Sequence, residues 1–124
     1  MAGFTDSEER RLLDLMATGG YLALLTADTS DETPTITEVT GGTYARLAAS
    51  GYLAAASTTS GTTTKKNSTA VQWDGLPACT VVGVALFDAI TTGNDRASIS
   101  FTGITVASGD SINIPINGLV FSLD

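Results

Sequence analysis

The 124-residue chain contains no histidine and a single cysteine, Cys79. Without histidine there is no Ser-His-Asp triad, no Cys-His pair, and neither the commonest general base nor the usual zinc ligand. One cysteine cannot form an internal disulfide, and it leaves the redox compartment undefined. Cys79 stands in LPACTVV, entering an apolar run, where a small core hydrophobe is the expected reading rather than a reactive thiolate. Bases are scarce: 6 Lys and Arg face 13 Asp and Glu, for a net charge of -7. Arg10-Arg11 and Lys65-Lys66 are the only adjacent basic pairs, so the sequence offers no basic stripe for nucleic acid or for an anionic membrane. Aromatic residues make up 6% of the chain, so the core is expected to be aliphatic. No apolar run reaches the length of a membrane span. The opening MAGFTDSEERR lacks the apolar stretch of a signal peptide, and synthesis in a cytoplasm is expected.

What is present is mostly strand and turn. The exception is a helix predicted over residues 5–18. Thr5 and Glu8 match a capping box, Asp6, Glu8 and Glu9 place negative charge at the positive end of the dipole, and Leu12, Leu13 and Met16 share one side. Gly19-Gly20 stops it. This helix is expected to pack on the protein's own sheet, because an isolated one of this length is marginal in water. YLALLTA (21–27) and TVVGVALFDA (80–89) are apolar on both faces and read as covered central strands. AVQW (70–73) alternates, with Val71 and Trp73 on one side, and SISFT (98–102) directs Ile99 and Phe101 inward. Residues 35–40 and 43–49 flank Gly41-Gly42, GYLAAAS (51–57) reads as a short strand, ITTGND (90–95) as a turn, and STTSGTTTKKNST (57–69) as an exposed loop with strand shoulders. In SINIPINGLVFSLD, a two-residue turn at Asn117-Gly118 would pair Ile116 with Leu119, Ile114 with Phe121 and Ile112 with Leu123 on one face. Pro115 then requires that its strand be an edge or carry the missing N–H outward. The expected fold is all-β: one β-sandwich domain over residues 1–124, built of short antiparallel strands with one short N-terminal α-helix.

Candidate chemistry is thin. Asp28, Asp31, Glu32, Glu38, Asp74, Asp88, Asp95 and Asp110 are the carboxylates available for paired-acid glycoside hydrolysis, but no spacing selects two of them, and Asp is an ordinary turn residue. The acidic loop with Asp28, Asp31 and Glu32 fails the calcium-loop pattern and reads as a solvated loop. Asn67-Ser68-Thr69 matches a glycosylation sequon by chance. Sugar stacking would have to use Tyr21, Tyr44, Tyr52 or Trp73, and Trp73 fits a core position better. EVTGGTYAR (38–46) lacks the lysine and spacing of a phosphate loop, so Gly41 and Gly42 read as a turn or bulge. Arg46 can pair with one of the many carboxylates, and an exposed pair would contribute about 0–1 kcal/mol. The residues open to an interaction surface are Tyr44, Arg46 and Tyr52, and the structural turns are Gly41, Gly42, Asn117 and Gly118. No catalytic, metal-ligating or cofactor-binding residue is assigned.

FTDSEERRLLDLM, YLALLTAD, TEVTGGTYAR, VALFDAITTGN and VASGDSINIPINGLVFSLD, in that order, resemble small virion proteins of tailed bacteriophages, the group of phage tail-fibre and minor-tail proteins. In that group a short helix precedes a strand, and a TEV-GG-YAR stretch, an FDA-GN turn and a closing hairpin follow. Residues 50–80 depart most from the pattern. The resemblance implies a non-catalytic β-sandwich building block of a virion, made in the bacterial host cytoplasm. It would be present in several copies or as a homo-oligomer, in contact with tail or major capsid proteins. It brings no catalytic residue. Rival expectations are a capsid-decorating head fibre, a carbohydrate-binding module contacting a host-surface glycan through Tyr44, Tyr52 or Trp73, and a two-carboxylate hydrolase.

Overall fold

The computed structural model describes residues 4–28 and 36–123. The acidic-loop expectation at Asp28, Asp31 and Glu32 falls on Asp31 and Glu32, and on the side chain of Asp28, which lie outside the described residues. Helix α1 (Asp6–Ala17) begins at Thr5, whose hydroxyl accepts from the Glu8 backbone N–H at 3.3 Å. The reciprocal half of the capping box does not form, because the Glu8 carboxylate pairs with Arg11 instead. Leu13 and Ala17 turn into the core with Met16 beside them. Beyond the helix, Gly19 takes φ +68° and reverses the chain.

Among the described residues ten strands follow: β1 (Tyr21–Asp28), β2 (Ile36–Glu38), β3 (Leu47–Ala48), β4 (Ser57–Thr59), β5 (Thr62–Lys66), β6 (Val71–Trp73), β7 (Cys79–Phe87), β8 (Asp95–Val106), β9 (Ile112–Ile114) and β10 (Val120–Leu123). They build an all-β sandwich of antiparallel sheets. The largest sheet runs β2-β1-β7-β8, with β3 also on β1; the others are β10-β5-β4 and β6-β9. β1 and β7 pair from Tyr21 opposite Phe87 to Leu25 opposite Gly83. Alternation then sends Leu22, Leu24, Val84 and Leu86 to one face and Ala23, Leu25, Ala85 and Phe87 to the other. Both sets are buried, as the unbroken apolar runs of these strands require. The first set meets Val71 and Trp73 of β6, Ile112 and Ile114 of β9, Phe121 of β10 and Leu13 of α1 in the main core. Each fully buried Leu, Val or Ile contributes roughly 1.5–3 kcal/mol of transfer free energy.

Three stretches depart from the sequence reading. Residues 57–69 are a β4–β5 hairpin turning at Ser60-Gly61, with Thr63, Lys65 and Asn67 buried. GYLAAAS (51–57) contains no strand until Ser57, only the end of a 3₁₀ turn (Ala49–Gly51) and an isolated bridge from Leu53 to Asn67. The closing hairpin does not zip: β9 pairs with β6 and β10 pairs with β5. The turn between them sits one residue early, with Gly118 N–H donating to the Pro115 carbonyl at 2.9 Å and Asn117 at φ +65°. Ile112, Ile114, Leu119 and Phe121 still face the same core, whereas Ile116 is left exposed. Pro115 falls just past β9, where its missing N–H costs no ladder bond.

The physical cause of the separation is Asn67, which is fully buried. Its Nδ2 donates to the carbonyls of Thr69 at 3.0 Å and Pro115 at 2.9 Å, and its Oδ1 accepts from Leu119 N–H at 2.9 Å. Its backbone carbonyl takes the Asn117 N–H at 3.0 Å. One side chain therefore holds both ends of the turn and steers the two flanking strands onto different neighbours.

Candidate functional site

The stretch from Glu38 to Arg46 brings two of the three residues expected at an interaction surface, Tyr44 and Arg46, together with the carboxylate of Glu38. β3 covers the outer edge of β1 at Tyr21 and Leu22, and β2 covers it from Leu25 to Asp28. Leu24 lies in the gap between them. Its carbonyl accepts from Val39 N–H at 3.0 Å, and its own N–H donates to the Tyr44 hydroxyl at 3.0 Å. The phenol thus substitutes for a missing strand neighbour at a backbone donor that burial would otherwise leave unpaired.

Tyr44 can reach that position because the chain reverses at Gly41 (φ +113°) and Gly42 (φ +57°). Thr43 N–H donates to the Gly75 carbonyl at 2.9 Å, bringing this turn against residues 75–77. A Cβ on Gly42 would overlap that same carbonyl oxygen, so the position requires glycine for both its dihedral and its clearance.

The Tyr44 hydroxyl passes its proton bond to Glu38 Oε2 at 2.6 Å. Arg46 grips the same carboxylate with two parallel bonds, Nε to Oε2 at 2.9 Å and Nη2 to Oε1 at 2.8 Å. Its Nη1 donates to the carbonyls of Ala89 and Thr92, each at 2.7 Å, and its guanidinium lies 3.9 Å from the centroid of the Phe87 ring. The Arg46 side chain is only 6% exposed. The carboxylate partner of Arg46 is thus Glu38, in a bidentate, mostly desolvated pair stacked on an aromatic face, to which the small contribution of an exposed pair does not apply.

Electrostatics follow the geometry. Burial pushes the Glu38 carboxyl upward, but the bonds from Arg46 and Tyr44 and the attraction of Arg46 more than reverse this, leaving it below the usual glutamate value. Burial, reinforced by the bond to Glu38, pushes the Tyr44 phenol well above its ordinary value, so it stays a neutral donor. A cleft of about 460 Å³ opens beside these groups, lined by Val39, Gly41, Ala45, Ile90 and Thr91 among others. At its base the carboxylate, phenol and guanidinium are already engaged with one another and with the backbone. The arrangement ties β2, the turn at Gly41-Gly42, β3 and the loop after β7 into one unit.

The other sequence candidates are also drawn into the fold. Tyr52 is half-buried against the main core. Trp73 is buried there with its indole N–H unpartnered, leaving no ring face for a sugar. Cys79 packs against the same core. Asp88 accepts from Asn94 N–H at 2.8 Å and closes the 88–94 loop, Asp110 accepts from Ala107 N–H at 2.9 Å, and Asp74 accepts from Gln72 at 2.7 Å. Sequence reasoning missed a second polar junction, between α1 and the β4–β5 hairpin. Thr63 donates to Glu9 at 2.7 Å, Lys65 donates to Asp14 at 2.7 Å and to the Ala54 carbonyl at 2.9 Å, and Ala56 N–H donates to Asp14 at 2.9 Å. The alternation of TTTKK was the available sign that Thr63 and Lys65 share a face, but nothing in it names acids some fifty residues upstream as partners.

Neither curated proteins nor solved structures yield a match to the chain. A family model does: the one described as Podophage GP4 fiber I protein gp80 matches residues 13–122, from the inward face of α1 to within β10. That span takes in the Glu38–Tyr44–Arg46 clamp, the Lys65–Asp14 pair of the second junction and the residues 50–80 that had departed from the resemblance. The family implies a structural role in the virion. The chain belongs to this podophage fiber I protein family.

Proposed function

We propose that the protein is a non-catalytic building block of a tailed-phage fibre, carried in several copies on the particle and joined to other virion proteins through its surface. The observation that carries this reading is the family match over residues 13–122. It is supported by the clamp, in which the groups best suited to chemistry or ligand binding serve the fold. Attachment at the tail is the favoured placement, since the motif order resembles tail-fibre and minor-tail proteins; a fibre on the capsid exterior is the competing placement. A glycan-binding role loses support, because Tyr44 and Trp73 face inward. Gold-labelled antibody against the protein, viewed on intact particles, distinguishes the placements. Gold clustered at the tail is the expected result, gold over the head moves the fibre to the capsid, and unlabelled particles refute the proposal.

A further inference from the structure

The charge of -7 is unevenly spread: between Ala97 and Leu123 the chain carries one acid, Asp110, and no base. This segment supplies β8 from Ala97 onward, beyond its charged start at Asp95 and Arg96, together with β9, β10 and the Pro115–Gly118 turn. Between β8 and β9 runs a groove of about 360 Å³, lined by Phe101, Ile104, Ile112 and Ile114. Ile104 on its wall is 45% exposed, and Ile116, at the tip of the turn whose Pro115 and Gly118 form the groove's rim, is 58% exposed. An apolar knob and an apolar hole thus stand side by side on a segment that carries one acid and no base. We infer that this face binds a second copy of the same chain about a twofold axis, each Ile116 entering the groove of the other. Such a contact needs a face complementary to itself, which an adjacent knob and hole supply. Electrostatics favour the same contact: the net charge of -7 makes two copies repel, and the groove-lining segment 97–123 adds only Asp110 to that repulsion. An exposed apolar patch of this kind is typical of interaction sites.

The inference deepens the building-block reading, yet its test is separate from any observation on particles. Sedimentation equilibrium of the purified full chain is expected to show a reversible dimer. Ile116→Asp, which changes an exposed side chain and leaves the core intact, removes both symmetric contacts of the dimer and is expected to weaken it about 900-fold, the ratio equivalent to two hot-spot losses of ~2 kcal/mol each. Leu15→Asp, an exposed apolar residue on α1, is the control and leaves the dimer unchanged. In a Cys79→Ser background, mixing Ile104→Cys chains with Ile116→Cys chains gives a disulfide-linked pair that neither forms as readily alone. A wild-type chain that remains monomeric, a dimer indifferent to Ile116→Asp, or protection of Ile104 and Ile116 only by a different virion protein overturns the inference. The first of these would leave the fibre assignment standing.

Discussion

Replacing Arg46 with alanine probes the clamp most sharply. The substitution removes two bonds to Glu38 and the donors to the Ala89 and Thr92 carbonyls, and uncovers one face of Phe87. Breaking a fully buried ion pair from one side costs about 3–5 kcal/mol. Glu38 retains 24% side-chain exposure, so water relieves part of this, and ~2–4 kcal/mol is the expected loss. For a chain of this size that lowers the melting temperature by roughly 10 °C. Urea unfolding of Arg46→Ala, Glu38→Gln and the double variant forms a thermodynamic cycle, with an expected coupling of about 1–3 kcal/mol. The pH dependence adds a second reading. Glu38 sits below its ordinary value of 4.5 when folded, so its contribution is complete above that value and is lost as pH falls through the lower folded value. Asp14 and Asp88 are depressed as well, so the acid loss of stability is shared, and Glu38→Gln should flatten it in part. An Arg46→Ala variant within ~0.5 kcal/mol of wild type, the usual range for surface changes, would refute the clamp as a source of stability.

Tyr44→Phe should cost ~1–3 kcal/mol by leaving the buried Leu24 N–H unpaired, and hydrogen exchange at that amide should accelerate; unchanged protection counts against the edge-filling role. Asn67→Ala strands the Pro115 carbonyl and the Leu119 N–H, and a loss of about 2–4 kcal/mol in calorimetry is expected, against little change if water replaces the amide. Gly42→Ala meets both a positive φ and the Gly75 carbonyl; a destabilisation of at least ~1 kcal/mol is expected, and a neutral result would mean the turn relaxes freely.

Much of the architecture could be read from side-chain periodicity. The start and stop of α1, the two-sided burial of β1 and β7, and the inward pair Val71 and Trp73 each follow from signals within a dozen residues. Periodicity gave the inward positions of Ile112, Ile114, Leu119 and Phe121 but not the exposure of Ile116 or the pairing of the segment, because a ladder partner is chosen by tertiary competition, and here Asn67 decides it through bonds that no hydropathy pattern encodes. The β4–β5 hairpin looked like loop for a related reason. Thr63, Lys65 and Asn67 are polar, and they are buried only because Glu9, Asp14 and the backbone of the closing turn satisfy them. The clamp was half legible: Gly41 and Gly42 signalled a turn, but the sequence did not say that the turn would bring Tyr44 and Arg46 back onto Glu38.

Quantitative mass spectrometry of purified, intact particles bears most directly on the protein as a fibre building block. Peptides of this chain are expected in the particles at several copies each, retained through density-gradient purification in constant ratio to the major capsid protein. Abundance in the infected-cell lysate with none in the particles would contradict that account.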